Sequence, residues 1–493
     1  MSQLRSSTSR THLSTWHIVF VIVAAAAPLS AMVGTVPLAF AVGNGPGVPA
    51  AFAFAGLTLL CFAVGYAVSA RRTGGSGGFY TSIADGLGRP AAVAGGFVAV
   101  LSYNAATIGL VGAQGYFTRL VLAAHGYHVS WQVCALAGVA LVAVLGHREI
   151  TLSARLLALL MIGETGVLLA LDIAVLVRHG AAALPAASFG HQATGPGLGV
   201  AMMFAFVSFI GFESAALYGG EARNPRRNVV RATYAAVVLI SVFYTLTSWL
   251  AVGAVGARNV RATAGAQLGD LFFVLAGDYL GTAGRTVLEV LLCTSLFAAT
   301  LALHSAANRY AHVLATDGLL PAALSARHPR YGSPHRASTL QSVLNLVAVA
   351  VFAAAGLDPY ADMTTSMLGL GTLGIIVLQA AAALSVIGLL RRGGGAGVWQ
   401  GLVAPLLAFA GLTATVWLVL GNYSLLTGTD SAVVGALPWT LPVLALLGAG
   451  YAWWLRTNRP DTYRGLAGRG GGERAVPVAV APGAAQASVT RPD

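Results

Sequence analysis

The sequence predicts an all-α integral membrane protein with about twelve transmembrane helices, two of which are interrupted. Three observations predict it: the composition, the spacing of apolar runs, and helix-breaking residues inside two of those runs. Of the 493 residues, 57% are hydrophobic and 9% are charged, whereas an ordinary soluble domain has about 25% charged residues. A chain with so few charges cannot cover a soluble surface, so most of it is expected to lie in a bilayer.

Twelve apolar runs have the length, about 20 residues, that a helix needs to cross a bilayer. They lie at about 16–42, 48–70, 90–122, 130–147, 154–178, 197–219, 230–255, 284–313, 338–356, 363–390, 399–421 and 436–456. Residues 1–15 precede them as a cytoplasmic segment. Residues 457–493 are rich in Gly, Ala, Pro and Arg without apolar periodicity, so this tail is expected to be disordered.

The arginines give the expected orientation in the membrane. All 28 basic residues are arginine, and 23 of them fall on one side of the predicted spans and five on the other. The positive-inside rule therefore places both termini in the cytoplasm. The net charge of +12 reflects this topology, so the expected partner is the lipid bilayer of the cytoplasmic membrane and not nucleic acid.

The residue inventory argues against an enzyme. Because the chain contains no lysine, it can form no Schiff base and no Walker-type phosphate loop, and "GGSGG" at 74–78 is best interpreted as a turn. Cys61, Cys134 and Cys293 lie inside predicted spans without metal-ligand spacing. We find no soluble catalytic domain, and we expect no cofactor and no metal site.

Two spans carry helix-breaking residues near their middle. In the first, "AMVGTVPLAF" (31–40) contains Gly34, Thr35 and Pro37. In the sixth, within 201–228, the interrupting residues are Ser208, Gly211, Glu213 and Ser214. A broken helix exposes backbone amides and carbonyls at membrane depth, which is tolerated where they line a site. Breaks at corresponding positions of two halves indicate a transporter binding site.

These breaks and two further motifs resemble the amino acid/polyamine/organocation (APC) superfamily of permeases. The segment 28–52 is similar to its glycine-rich unwound segment, although Gly34-Thr35-Val36 followed by Pro37 stands where many members carry Gly-Ser/Thr-Gly. "SFIGFES" with "EARNPRRNVVRAT" (221–233) resembles the sixth-span signature. "GGFY" (77–80) resembles the family's Gly-Gly-aromatic loop in the second cytoplasmic segment. "ANRYAHVLATDGLLP" (307–321) followed by "HPRYGSP" (328–334) resembles the family's eighth span and its loop.

The resemblance implies a fold and a mode of action. The transporter core would span 16–390 and consist of two inverted five-helix repeats, 16–178 and 197–390, with broken helices 1 and 6. Two peripheral helices would occupy 399–456. The family moves substrate by alternating access, so this chain is expected to be a transporter.

The substrate site is expected at the two breaks. A half-helix that starts at a break offers unpaired N–H groups and a positive dipole end to a carboxylate, and the candidates are Gly34, Thr35 and Val36. An ammonium would meet carbonyls near Ala31, Met32, Phe206, Val207 and Phe209, beside Ser208 and Gly211. Tyr103 and Asn104 would add polar contacts, as the resemblance implies, and Phe209 and Phe212 could close as a gate. Tight helix packing and interhelical hydrogen bonds are the alternative interpretation.

Two carboxylates lie deep within spans, Glu164 in the fifth and Glu213 in the sixth. Ionisable groups inside a membrane are usually functional. Related permeases often carry a lysine near the Glu164 position, and this chain has none, so Glu164 is the leading candidate for proton coupling and Glu213 the second. Each could instead be a hydrogen-bonded structural carboxylate, and a carboxylate can also ligate sodium.

The sequence therefore predicts a secondary active transporter of amino acids or related organic amines, with proton-coupled uptake. Sodium-coupled symport, obligate exchange and a membrane sensor without transport are the alternatives. No acidic side chain lies at the first break and no basic one lies in the middle of a span, which favours a neutral amino acid. The sequence does not predict an oligomeric state.

Overall fold

The computed structural model describes residues 15, 19, 23, 26–73, 78–148, 154–212, 225–391, 397–423 and 432–467. Helices joined by short loops make up this part of the chain, and no strand occurs in it. In a bilayer a helix satisfies its own backbone hydrogen bonds, which is why apolar runs of this length become helices.

Sixteen helices are numbered here in chain order. They are α1 Pro28–Val42, α2 Val48–Thr73, α3 Gly78–Leu87, α4 Arg89–Ala124, α5 Trp131–Arg148, α6 Ala154–His179, α7 Leu198–Ser208, α8 Pro225–Val255, α9 Val260–Gln267, α10 Leu271–Thr316, α11 His335–Ala354, α12 Thr365–Arg391, α13 Ala404–Gly421, α14 Ala432–Ala436, α15 Thr440–Asn458 and α16 Pro460–Gly465. Within α10, Gly281 has a φ of 74° and joins two helical segments. Turns of π-helix, Pro359–Thr364 and Trp399–Val403, precede α12 and α13.

Ten of the described helical segments are long and apolar enough to cross a membrane. Two further apolar helices, α1 and α7, are shorter. Together they correspond in order to the twelve predicted spans, and the two short helices belong to the first and sixth. The prediction of an all-α membrane fold with broken helices 1 and 6 is therefore confirmed.

The position of the first break differs from the prediction. Helix α1 runs without interruption through Gly34 and Pro37, and it begins at Pro28 because Ala27 takes a left-handed conformation with φ 43° and ψ 71°. The first helical bond joins the Ala31 N–H to the Ala27 carbonyl. A break at Gly34–Pro37 is thus wrong. Proline is well suited to the first position of a helix, where its missing N–H would have no partner anyway, so Pro28 marks the start.

Several transmembrane helices of the first half of the chain each pack against the corresponding helix of the second half. Helix α1 packs against α7, α2 against α8, α4 against α10, and α5 against α11. In each pair the second helix follows the first by five spans. This is the arrangement expected of two five-helix repeats, with the paired broken helices α1 and α7 between them.

The folded part of the chain extends about ten residues beyond the predicted C-terminal boundary at residue 457, as far as residue 467. Helix α16 follows α15, and the Arg89 guanidinium donates to the Arg464 carbonyl at 3.0 Å. Leu466 is 2% exposed, and the Ala467 N–H donates to the Asp317 carboxylate at 3.0 Å. The expectation of disorder from residue 457 is therefore corrected as far as residue 467, because a buried leucine and charged hydrogen bonds hold this segment in place.

Candidate functional site

A cavity of about 60 Å³ lies where α1 begins and α7 ends. Helix α1 and the residues just before it contribute Ala26, Ala27, Ser30, Ala31, Gly34 and Thr35, and the end of α7 contributes Val207, Ser208 and Ile210. The spacing of the α1 residues, three or four apart, places them on one helix face. The rest of the wall comes from α4, α10 and the start of α12: Leu110, Ala113, Leu296, Ala299, Leu303, Thr364 and Leu368.

Five of the predicted binding residues line this cavity: Ala31, Gly34, Thr35, Val207 and Ser208. A Cβ added at Gly34 would meet no atom within 4 Å, so the missing side chain leaves space that belongs to the cavity. None of the described residues in its wall has a charged side chain. The described wall is therefore uncharged and largely apolar, with hydroxyl groups from Ser30, Thr35, Ser208 and Thr364.

The roles predicted for individual backbone groups need correction. Gly34, Thr35 and Val36 lie in the second and later turns of a continuous helix, so their N–H groups are used within α1 and are not free for a carboxylate. The carbonyls of Ala31 and Met32 lie in the same helix. Met32, Val36 and Phe206 are buried but do not line the cavity.

Because α1 begins at Pro28, the backbone N–H groups that have no partner within the helix belong to its first turn. Pro28 has no N–H, and the Leu29 N–H donates to the Glu164 carboxylate. Since the first bond within the helix starts from the Ala31 N–H, the Ser30 N–H has no partner within α1. Ser30 is also one of the residues that line the cavity.

Hydroxyl groups connect the two broken helices. The Thr35 and Ser208 oxygens lie 2.9 Å apart, which joins α1 to the last turn of α7. The buried Tyr360 hydroxyl donates to the Gly34 carbonyl at 3.1 Å. Side chains from two other segments therefore hold α1 at Gly34 and Thr35, two residues that line the cavity.

Glu164 of α6 lies at the N-terminal end of α1. It is 5% exposed and accepts hydrogen bonds from the Ser295 hydroxyl at 2.8 Å and from the Leu29 N–H. The Ser30 hydroxyl donates in turn to Ser295 at 2.8 Å. A continuous hydrogen-bonded row therefore runs from Ser30, at the cavity wall, through Ser295 to the carboxylate.

The other predicted residues lie away from the cavity. Tyr103 stacks on Tyr310 with ring centroids 5.1 Å apart, and the Asn104 amide donates to the Val100 carbonyl. Phe209 packs against Tyr244 at 5.5 Å, and Phe212 against Phe62 at 6.0 Å. Their roles in binding and gating stay predictions.

Two predicted residues belong to the segment after α7. Gly211 has a φ of 110°, a conformation that favours glycine, so the backbone does not continue as an α-helix at this residue. Glu213, the second candidate for proton coupling, lies outside the described residues.

Sequence reasoning missed the residues that complete the site. Ser30 and Thr364 line the cavity, and Ser295 and Tyr360 hydrogen-bond to the residues Ser30 and Gly34 of its wall. None of the four is predicted from the sequence. One signal was available, since Pro28 is more typical of a helix start than of a helix interior. Moving the break to Pro28 would have placed Ser30 in the first turn.

The fold and site define a membrane transporter with paired broken helices, and comparison with known families agrees. Residues 13–464 match the family model described as amino acid permease. This match covers nearly the whole chain. The protein therefore belongs to the amino acid permease family and is a multi-pass membrane protein.

Individual relatives are more distant. The chain is 28% identical over 230 residues to an uncharacterised transporter of Mycobacterium tuberculosis, a match that covers 47% of each protein. It is 23% identical over 364 residues to a branched-chain amino acid permease of Bacillus subtilis, covering 70% of this chain and 74% of the relative. A vacuolar cationic amino acid transporter of Arabidopsis thaliana is 31% identical over 172 residues, 34% of this chain and 26% of the relative. The match thus spans about half the length of the mycobacterial relative.

Proposed function

We propose that this permease takes up small neutral amino acids, or related organic amines, together with protons, by alternating access. It would act in the cell membrane with both termini in the cytoplasm, as the positive-inside rule favours. Membership of the amino acid permease family supports the general class of substrate. The choice of substrate and of coupling ion rests on the cavity and on Glu164.

One observation carries the proposal: the cavity lies between the N-terminal end of one half-helix and the C-terminal end of another. The start of α1 has a positive dipole end and the Ser30 N–H, which suit a carboxylate. The end of α7 at Ser208 has a negative dipole end and terminal carbonyls, which suit an ammonium. An α-amino acid carries both groups on one carbon, so it can satisfy both helix ends at once.

The cavity size and lining favour a small neutral side chain. The cavity of about 60 Å³ has less than half the volume, about 150 Å³, of a protein cavity that binds benzene, so glycine and alanine are the amino acids that come nearest to it in size. Among the described wall residues, an acidic or basic substrate side chain would find no opposite charge. Leaving such a charge unpaired in a low-dielectric site is unfavourable.

The position of Glu164 supports proton coupling. Its carboxylate already accepts the Leu29 N–H at the start of α1, the same helix end that would hold the substrate carboxylate. Two ionised carboxylates at one site repel, at roughly 4 kcal/mol for a 4 Å separation and an effective dielectric constant of 20. Substrate binding would therefore favour the protonated form of Glu164, and the proton would travel with the substrate.

A direct test uses purified protein in proteoliposomes. Uptake of labelled glycine, alanine, serine, leucine, arginine, glutamate and putrescine would be measured with a proton gradient, with a sodium gradient, and with unlabelled substrate inside the vesicles. We expect glycine or alanine to accumulate with the proton gradient alone. Accumulation that requires sodium, or that occurs only with internal substrate, would replace proton coupling by sodium symport or exchange. Binding of substrate without uptake under all three conditions would favour a sensor.

A further inference from the structure

A second, larger cavity lies between the C-terminal end of α5 and the N-terminal end of α11. Its volume is about 330 Å³, and it is lined by Ala143, Val144, His147, Arg148, Ser338, Thr339 and Ser342. Arg148 is the last residue of α5 and His335 the first of α11. The wall therefore combines apolar residues with an arginine, a histidine and three hydroxyl groups.

The surroundings of this cavity are cationic. Between Asp317 and Asp358 the chain has no acidic residue, but it contains Arg327, Arg330 and Arg336, and α5 itself carries no acidic residue. No described residue forms an ion pair with Arg148. Glu149, the next residue in the chain, lies outside the described part. Neither α5 nor α11, the two helices that form the cavity, therefore carries an acidic side chain that could balance the arginines.

Three histidines form one side of this cationic region. The rings of His147, His328 and His335 lie with centroids 5.4–5.6 Å apart. Within the described residues, no group of three or more His, Cys, Asp or Glu side chains is arranged to hold a metal ion. Of the three, His147 lines the cavity, so its imidazole is the one placed to donate a hydrogen bond to an anion there.

The cavity lies at the boundary between apolar and basic surface. On the apolar side, Leu141 and Val144 of α5 and Leu340, Val343 and Val347 of α11 are exposed by 44–51%. Apolar side chains at this exposure on membrane-spanning helices face lipid chains. On the other side lie the basic residues of the loop before α11, on the face that the arginine distribution assigns to the cytoplasm. A ligand in the cavity would therefore have its polar part at headgroup depth and its apolar part along α5 and α11.

We propose that this cavity binds the phosphate of an anionic phospholipid from the cytoplasmic leaflet. Basic pockets between transmembrane helices on this side are suited to anionic headgroups, and an arginine can donate two parallel hydrogen bonds to a phosphate. The Thr339 and Ser342 hydroxyls donate to carbonyls of their own helix at 3.0 and 2.9 Å. Either hydroxyl can rotate to donate to a phosphate oxygen instead.

Binding there would link two helices that hold corresponding positions in the two repeats. Helix α5 is the fourth span and α11 the ninth, and they pack against each other. The link is strengthened by the Ser333 hydroxyl, which donates to the His147 carbonyl at 2.6 Å. A phospholipid held by Arg148 on one helix and Thr339 on the other would stabilise this pair.

The test is native mass spectrometry of the full-length protein in detergent, titrated with palmitoyl-oleoyl phosphatidylglycerol or with phosphatidylcholine of the same chains. Arg148→Gln removes the charge, and Arg148→Lys retains it. Thr339→Asp adds a carboxylate to the wall at an exposed position near the start of α11, where a negative charge favours the helix. Arg456→Gln, which removes an exposed arginine at the end of α15, is the matched control.

We expect phosphatidylglycerol to bind more tightly than phosphatidylcholine to the wild-type protein. One basic residue near an anionic membrane surface contributes about 1 kcal/mol, so Arg148→Gln should weaken phosphatidylglycerol binding roughly fivefold. Thr339→Asp should weaken it at least as much, and Arg148→Lys and Arg456→Gln should have little effect. Each variant should melt at the wild-type temperature without added lipid.

Three results would overturn the proposal. The first is equal affinity for the two lipids. The second is unchanged phosphatidylglycerol binding by both Arg148→Gln and Thr339→Asp. The third is binding of soluble glycerol 3-phosphate as tight as that of phosphatidylglycerol, which would make the cavity a site for a free anion. None of these measurements depends on the transported substrate.

Discussion

Replacing Gly34 with alanine or leucine tests whether the cavity between α1 and α7 is the substrate site. Gly34 faces this cavity, and an added Cβ would meet no atom within 4 Å. Alanine is also more favourable than glycine inside a helix by roughly 0.5–1 kcal/mol. Both variants are therefore expected to fold, and any loss of binding can be assigned to lost space.

The size of the effect follows from the volume. In a cavity of about 60 Å³, the alanine side chain would add one carbon atom at position 34 and the leucine side chain four. Inserting one methyl group into a filled site costs about 1–3 kcal/mol, or roughly 5- to 150-fold in affinity. Gly34→Ala should therefore raise the dissociation constant within that range, and Gly34→Leu should abolish binding.

The assay is equilibrium binding of labelled alanine to purified protein, by scintillation proximity, with a thermal melt of each variant. Gly450 of α15 provides the control, because it is exposed and a Cβ there also meets nothing within 4 Å. Gly450→Ala and Gly450→Leu should bind like the wild type. If Gly34→Leu bound alanine with wild-type affinity while remaining folded, the assignment of this cavity as the substrate site would be refuted.

Two further predictions concern stability and order. Tyr360→Phe removes the hydroxyl that donates to the buried Gly34 carbonyl, so it should lower the free energy of unfolding by roughly 1 kcal/mol; an unchanged denaturant midpoint would contradict this. Asp317→Ala removes the carboxylate oxygen that accepts from both the Tyr80 hydroxyl and the Ala467 N–H. Hydrogen exchange of residues 460–467 should then become faster, and unchanged exchange would show that Asp317 does not hold this segment.

The number of spans and the identity of the broken ones could be predicted from sequence because both depend on local composition. A run of about 20 apolar residues has few alternatives to a transmembrane helix. The position of the break is harder to predict, because both Pro28 and the Gly34–Pro37 segment contain residues that can interrupt a helix, and the structure has the interruption at Pro28. Proline removes a hydrogen bond only where one would otherwise form, so Pro28 at a helix start is tolerated better than sequence periodicity alone suggests.

Only some of the residues at the cavity could be predicted from sequence, because only some of them lie next to the breaks. Ala31, Gly34, Thr35, Val207 and Ser208, which line the cavity, could be predicted because they adjoin the two predicted breaks. Ser295 and Tyr360, which contact Glu164 and Gly34, come from segments hundreds of residues away. Their approach depends on how the two halves pack, and nothing local in their sequences indicates it.

Glu164→Gln addresses the central claim, that a proton bound at Glu164 drives uptake. Glutamine keeps the shape of the side chain and can still accept the Ser295 hydroxyl, but it cannot carry the proton. Asp172 supplies a matched control: it is a second buried carboxylate on α6 that accepts from Thr247 at 2.7 Å and makes no described contact with α1. Asp172→Asn should therefore retain coupling.

The decisive measurement is the accumulation of labelled alanine in proteoliposomes with a pH one unit lower outside than inside and no membrane potential. A gradient of one pH unit corresponds to about 1.36 kcal/mol, so one proton per substrate can concentrate alanine about tenfold. The wild type and Asp172→Asn should approach that ratio, whereas Glu164→Gln should equilibrate alanine without concentrating it and should still exchange it. If Glu164→Gln accumulated alanine with the wild-type dependence on pH, proton coupling through Glu164 would be contradicted.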